Sequence, residues 1–186
     1  MPNFYTADLH LRDEEIIRLC HRPHKSIGHG QKRLIADANM RAKKGSTLIH
    51  VGDFAHRNKG EHPRDLIPLF DARLVLVTGN HDPNNGVATD CDYMVTEVCG
   101  VKALVTHYPT FSTDNKVVYG DKWNWLRDNA HHLADFVICG HVHQAWHVKR
   151  DPHTGIVNVN VGVDMNHYRP LTEAEVFALA KRGLKG

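Results

Sequence analysis

Apolar and polar positions alternate along this chain in two different rhythms, and the rhythm changes near the middle. Residues 3–7 read as a short strand that ends at Asp8. Residues 13–21 read as a helix, with Ile16, Ile17 and Cys20 on one face. A second helix starts at Ser26 and runs to about Lys44, where Gly45 stops it. Residues 47–51 form a strand leading into Gly52-Asp53, and residues 63–70 a short helix or turn. The apolar run at residues 74–77 reads as a buried strand and leads into Gly79-Asn80-His81-Asp82.

The second half is mostly strands, at 92–97, 101–106, 135–139, 145–149 and 156–163, with a helix over 121–132. Pro170-Leu171-Thr172 opens a last helix, and Thr172-x-x-Glu175 is a capping box. Alternating strands and helices predict parallel β-α-β units, while clustered strands predict antiparallel pairing. The expected architecture is α/β: two packed sheets with helices outside, in one domain over residues 1–186.

Composition narrows the picture only slightly. A chain of 186 residues fits one domain and can bury a core without disulfide staples. The formal net charge of +2 is too small to argue for a strong nucleic-acid or membrane surface. No run approaches the roughly 20 apolar residues of a membrane span. Cys20, Cys91, Cys99 and Cys139 form no C-x-x-C pair, so they read as reduced thiols of a cytoplasmic protein. Polar residues interrupt the N-terminus too early for a signal peptide. Histidine stands out, with 16 copies. It is the commonest protein metal ligand, so position matters more than number.

Five strand-like segments end in polar clusters: Asp8-Leu9-His10, Gly52-Asp53, Gly79-Asn80-His81-Asp82, Thr106-His107 and Gly140-His141-Val142-His143. Ligands of open α/β sheets bind beyond the carboxyl ends of strands, so these ends converge on one site. In extended chain, residues i and i+2 point the same way, so Asp8 can act with His10, and His141 with His143. The glycines before Asp53, Asn80 and His141 give room for sharp turns. The ligand set has two Asp, one Asn and four His, with His81 left over, which is more than one ion uses. It suits two ions sharing a carboxylate. Mixed nitrogen and oxygen donors favour Mn, Fe, Zn, Ni or Co.

The blocks D-x-H, G-D, G-N-H-[DE], a lone H and G-H-x-H occur in that order over residues 8 to 143. In this the chain resembles the calcineurin-like metallophosphoesterases. The resemblance implies a two-sheet β-sandwich flanked by helices, a four-layer αββα arrangement. It implies Asp8, His10 and His143 on a first metal, Asn80, His107 and His141 on a second, and Asp53 bridging both. His81 would protonate the leaving oxygen, and Asp82 would orient His81. The implied enzyme is a binuclear metallophosphoesterase in which a hydroxide shared by two divalent ions, manganese foremost, attacks phosphorus in line.

Phosphodiesters of nucleotide type are the favoured substrates, and a nucleotide or oligonucleotide the expected partner. A phosphomonoesterase and a non-catalytic scaffold, such as relatives found in transport coats, are the alternatives. Arg57 stands where Ser/Thr protein phosphatases carry a phosphate-binding Arg. Its neighbours His56 and Asn58, however, replace the Asp and Gly of those enzymes. Phe111, Tyr119 and Trp123 are aromatics near enough in sequence to stack a base. Asp164 and Asn166 follow the last strand and are candidates for supporting the site rather than forming it.

Overall fold

The computed structural model describes residues 1–111 and 120–185. Among the described residues, nine strands form two sheets. The first contains β1 (Asn3–Thr6), β2 (Thr47–Val51), β3 (Arg73–Val77) and β9 (Leu171–Thr172), in the order β3-β2-β1-β9. The second contains β4 (Tyr93–Val98), β5 (Val101–Thr106), β6 (Phe136–Cys139), β7 (Val148–Arg150) and β8 (Val157–Asn160), in the order β4-β5-β6-β8-β7. In the first sheet β1, β2 and β3 are parallel, and β9 joins β1 antiparallel. In the second, β5, β6 and β8 are parallel, flanked by the antiparallel strands β4 and β7.

The helices are α1 (Glu14–Leu19), α2 (Ile27–Arg41), α3 (Asp82–Asn85), α4 (Gly120–Leu133) and α5 (Glu173–Lys185), with a 3-10 segment at Pro63–Leu69. Local chemistry sets their ends. The Ser26 hydroxyl accepts the His29 N–H and caps α2. The capping box at α5 is reciprocal: Glu175 accepts the Thr172 N–H, and the Thr172 hydroxyl accepts the Glu175 N–H.

Three apolar clusters give the layers. Tyr5, Ile49, Val51, Val105, Ile138 and Val159 meet between the sheets. Leu34 and Ala38 of α2 cover the outer face of the first sheet with Leu48, Leu66 and Phe70. Trp123, Leu126 and Ala130 of α4 cover Leu104, Val137 and Cys139 on the outer face of the second. Strand β6 is buried on both faces, with Phe136 and Ile138 turned one way and Val137 and Cys139 the other. That explains its unbroken apolar run. The expected four-layer αββα fold is present.

Two elements differ from the sequence expectation. Leu171-Thr172 is an edge strand on β1 before it becomes the start of α5, because tertiary pairing recruits it. The expected strand over 145–149 narrows to β7, because residues 141–147 turn around the site instead. All four cysteines are unpaired. No helix among the described residues is long and apolar enough to cross a membrane.

His50 of β2 is fully buried, its ring edge-on to Phe54, and neither ring nitrogen has a hydrogen-bond partner. Burial pushes it down to about 3. The folded protein thus keeps His50 neutral, while the unfolded chain protonates it below about pH 6.5. Stability is lost as pH falls from about 6.5 toward 3. In His50→Leu, the slope of unfolding free energy against pH in that window is expected to fall by about 1.4 kcal/mol per pH unit. Urea unfolding between pH 4 and 6 checks this, and an unchanged slope would contradict it.

Candidate metal centre

All five polar blocks lie at the carboxyl ends of parallel strands. Asp8, Asp53 and Asn80 follow β1, β2 and β3, and His107 and His141 follow β5 and β6. A sixth end contributes as well, since β8 leads to Asp164. A parallel bridge between Ala7 and Gly162 brings the end of β1 against the end of β8, and so brings the two sheets together at the site.

The backbone there is not extended. Asp8, His10, Asp53, His141 and His143 have φ of 57°, 44°, 60°, 71° and 45°. The left-handed region is uncommon for side-chain-bearing residues, and such strain clusters at functional sites. Asp8 and His10 therefore converge through two left-handed residues, and not through strand alternation as the i, i+2 spacing led us to expect. The same holds for His141 and His143. The main chain is nonetheless well tied, because Asp8 N–H donates to Gly52 and His10 N–H to Asp53, continuing the β1–β2 pairing.

Of the three glycines expected to turn the chain, Gly52 has a positive φ, 85°. Gly140 is needed for close approach instead, because a Cβ there would fall 2.6 Å from the Ala7 side chain and 2.7 Å from Asp8 Oδ2.

The side chains form two overlapping sets. Single ligand atoms of Asp8, His10 and His143 lie within 4.8 Å of one another, and so do those of Asp8, Asp53 and His107. Asp53 Oδ2 is 3.5 Å from His10 Nε2 and 3.2 Å from His107 Nε2. Asn80 Oδ1 is 3.1 Å from His107 Nε2 and 3.0 Å from His141 Nδ1. Ring orientations are fixed from behind. His107 Nδ1–H donates to the Val51 carbonyl, leaving Nε2 for the site, and His143 Nδ1–H donates to Asp164. The Asp8 carboxylate accepts the His141 N–H.

These residues fit divalent-metal binding. Asp8, His10, Asp53 and His107 are buried. The ring nitrogens of His10 face the carboxylates of Asp13 at 3.3 Å and Asp53 at 3.5 Å without a well-formed hydrogen bond to either. Buried polar atoms are costly unless satisfied; a cation on one ring nitrogen would leave the other N–H to donate to a carboxylate.

His81 is exposed; its N–H donates to Asp53 Oδ1, and its ring stands 5.1 Å from that of His10. Asp82 departs from expectation. Its oxygens accept the N–H groups of Asp53, Phe54 and Gly79, so the carboxylate ties the β2 and β3 loops together rather than orienting the His81 ring. It is buried and directional, with its donors in two loops, which sequence order alone does not show. Arg57 is exposed, with its N–H bonded to Asn85, and no described contact joins its guanidinium to the cluster.

Phe111 stacks on Trp146, Trp123 packs in the core beside Tyr108, and Tyr119 lies outside the described residues. Asn166 holds the turn after β8 through the carbonyls of Asn160 and Gly162.

Three supporting residues were not legible as such. Arg22 is buried, bonds both oxygens of Asp164 and donates to the carbonyls of Asp8 and Leu9. Asp13 Oδ2 lies 3.3 Å from His10 Nδ1 and 3.2 Å from His56 Nε2. Cys20 groups with His143 and Asp164. Arg22 and Asp13 come from the loops around α1, and only the fold brings them here. For Asp164, the strand pattern ending just before it was the available signal.

The calcineurin-like phosphoesterase superfamily domain matches residues 7–179, and the chain belongs to that superfamily. An uncharacterised protein of Methanocaldococcus jannaschii is 24% identical over 97% of this chain and 92% of its own length. The crystal structure of a protein of unknown function from Aquifex aeolicus superposes with a TM-score of 0.72 at 26% identity, covering 96% of this chain and 98% of the other. A structure described as a novel archaeal phosphodiesterase has a TM-score of 0.45 at 16% identity, covering 87% and 84%.

Charge at the site predicts a pH dependence. Burial opposes protonation of His107, but the Asp53 carboxylate outweighs it and raises the imidazole to about 9. Burial likewise opposes protonation of His143, and the Asp164 hydrogen bond raises it to about 10. Asp53 itself is held well below the usual carboxylate range, because His107 and His10 outweigh its burial. In protein stripped of ions by chelation, both imidazoles hold protons at neutral pH. Metal ligation needs neutral imidazole, so binding must release those protons. Affinity is expected to rise with pH up to about 10. Calorimetry in buffers of different ionisation enthalpy at pH 7.5 is expected to show release of about two protons; no release would contradict the assignment.

Proposed function

We propose that this protein is a binuclear metal-dependent phosphodiesterase. The observation that carries the reading is the pair of shared oxygens: Asp53 Oδ2 between His10 and His107, and Asn80 Oδ1 between His107 and His141. Asp8, His10 and His143 would hold one divalent ion, Asn80, His107 and His141 the other, with Asp53 common to both. Manganese is the first choice, and iron, zinc, nickel and cobalt suit the same nitrogen and oxygen donors. Two such ions, when bound, supply an activated water and neutralise charge on the phosphoryl group.

The chain's own residues do the rest. Asp164 and Arg22 hold the His143 ring, and Asp82 fixes the loops that carry Asp53 and Asn80. His81 is exposed beside His10, in position to give a proton to a departing alkoxide. A diester is favoured because, among the described residues, cationic groups free to meet a phosphate at the cluster are few. The Arg22 guanidinium is committed to Asp164 and backbone carbonyls, and no described contact joins the Arg57 guanidinium to the cluster. A monoester dianion is better matched by extra cationic donors.

Two variants test the roles. Asp53→Ala is expected to lose metal and activity together. His81→Ala is expected to keep its metal while kcat falls roughly 10²–10⁴-fold with an alkyl leaving group. Metal analysis beside kinetics separates them, and equal metal loss in both would sink the division of roles.

Substrate class is tested by kcat/KM for a nitrophenyl diester against its monoester with Mn²⁺ at one pH. The diester is expected to be better, and a clear monoester advantage would refute the preference. No hydrolysis of either by metal-loaded protein would favour the scaffold alternative.

A further inference from the structure

Next to the cluster lies a cavity of about 480 Å³ that the proposed chemistry does not use. Asn80 lines it on the side of the metal centre, and Tyr93, Tyr108 and Trp123 supply aromatic walls. The Tyr108 ring is the partition. It stands edge-on at 5.0 Å from His107, 5.1 Å from His141 and 4.7 Å from Trp123. Tyr108, which lines the cavity, thus packs directly against His107 and His141 of the cluster. The cavity falls within the roughly 300–1,000 Å³ of small-molecule sites. A phosphate with two methyl arms would leave most of it empty.

Two features select the occupant. Aromatic walls favour a flat ring, which can meet them face-on or edge-on. The ion pair of Lys122 and Asp92 also lines the cavity and stays half-exposed. It places a donor and an acceptor side by side, and a nucleobase edge presents the same combination, unlike a hydrocarbon or a simple aryl group.

We propose that this cavity is a nucleobase subsite, holding the base of a nucleoside esterified to the phosphorus at the Asp/His/Asn cluster. The proposal rests on the phosphodiesterase reading and specifies its substrate class.

The test compares thymidine 5′-(p-nitrophenyl phosphate) with methyl p-nitrophenyl phosphate on the Mn²⁺-loaded protein. The two share charge and leaving group and differ in the nucleoside. Stacking of one base predicts a kcat/KM advantage of about tenfold or more for the nucleoside ester. In a parallel binding arm, thymidine 5′-monophosphate is expected to bind about tenfold or more tighter than ribose 5-phosphate by calorimetry.

Tyr93→Ala and Lys122→Ala, with folding checked by circular dichroism, are expected to reduce both ratios. Lys122 is on the surface and keeps the test open if Tyr93→Ala fails to fold. Equal rates and equal binding within each pair would overturn the subsite while leaving the phosphodiesterase reading intact. Ratios that persist in folded variants would overturn its location. Nucleotide-selective binding without hydrolysis of either ester would support the subsite and refute the catalytic reading.

Discussion

The carboxylate of Asp53 is buried where the two sheets meet, and it has a partner on every side. One oxygen faces His10 and His107, and the other accepts the N–H of His81. Its own N–H is held by Asp82, and its carbonyl accepts the N–H of His10. Gly79 passes so close that a side chain there would overlap the Asp53 backbone and carboxylate. A buried charge is tolerated only when it is paired and hydrogen-bonded. The surrounding imidazoles, or the cations that would replace their protons, are thus a condition of the fold at this point as well as of the chemistry.

The other ligands follow from that constraint. To bring side chains of several strands to one centre, the main chain enters the left-handed region at Asp8, His10, Asp53, His141 and His143. Each such residue costs on the order of 1 kcal/mol or more, so the surroundings must over-determine it. They do so with buried polar side chains. Arg22 grips the carbonyls of Asp8 and Leu9, Asn160 grips that of His143, and Asp82 gathers three N–H groups from two loops. Strain at the cluster is held by these buried polar side chains.

The two sheets contribute unequally. The first supplies Asp8, His10, Asp53, Asn80 and His81, mostly oxygen donors on consecutive parallel strands. The second supplies His107, His141 and His143, and after β8 the carboxylate of Asp164 that aims His143. Placement at carboxyl ends is general for parallel strands. Here the rule operates twice, because each sheet has a parallel centre and the centres face one another across the Tyr5–Ile138 core.

The sequence by itself determined which residues the fold gathers into the cluster. Asp8, His10, Asp53, Asn80, His81, His107, His141 and His143 each follow a recognisable apolar run, and side-chain type plus position after a strand is local information. The layers were legible for the same reason, since runs such as 136–139 record burial on both faces. Three things were decided only by tertiary structure. Backbone conformation at the ligands is one, because alternation along a strand and a pair of left-handed residues can both bring i and i+2 together. Asp82 is another, since its carboxylate answers to N–H groups some 28 residues away in sequence. The supporting contacts of Arg22, Asp13 and Cys20 are the third. A buried side chain selects partners by distance and direction in space, and neither quantity is written in the local pattern of a chain.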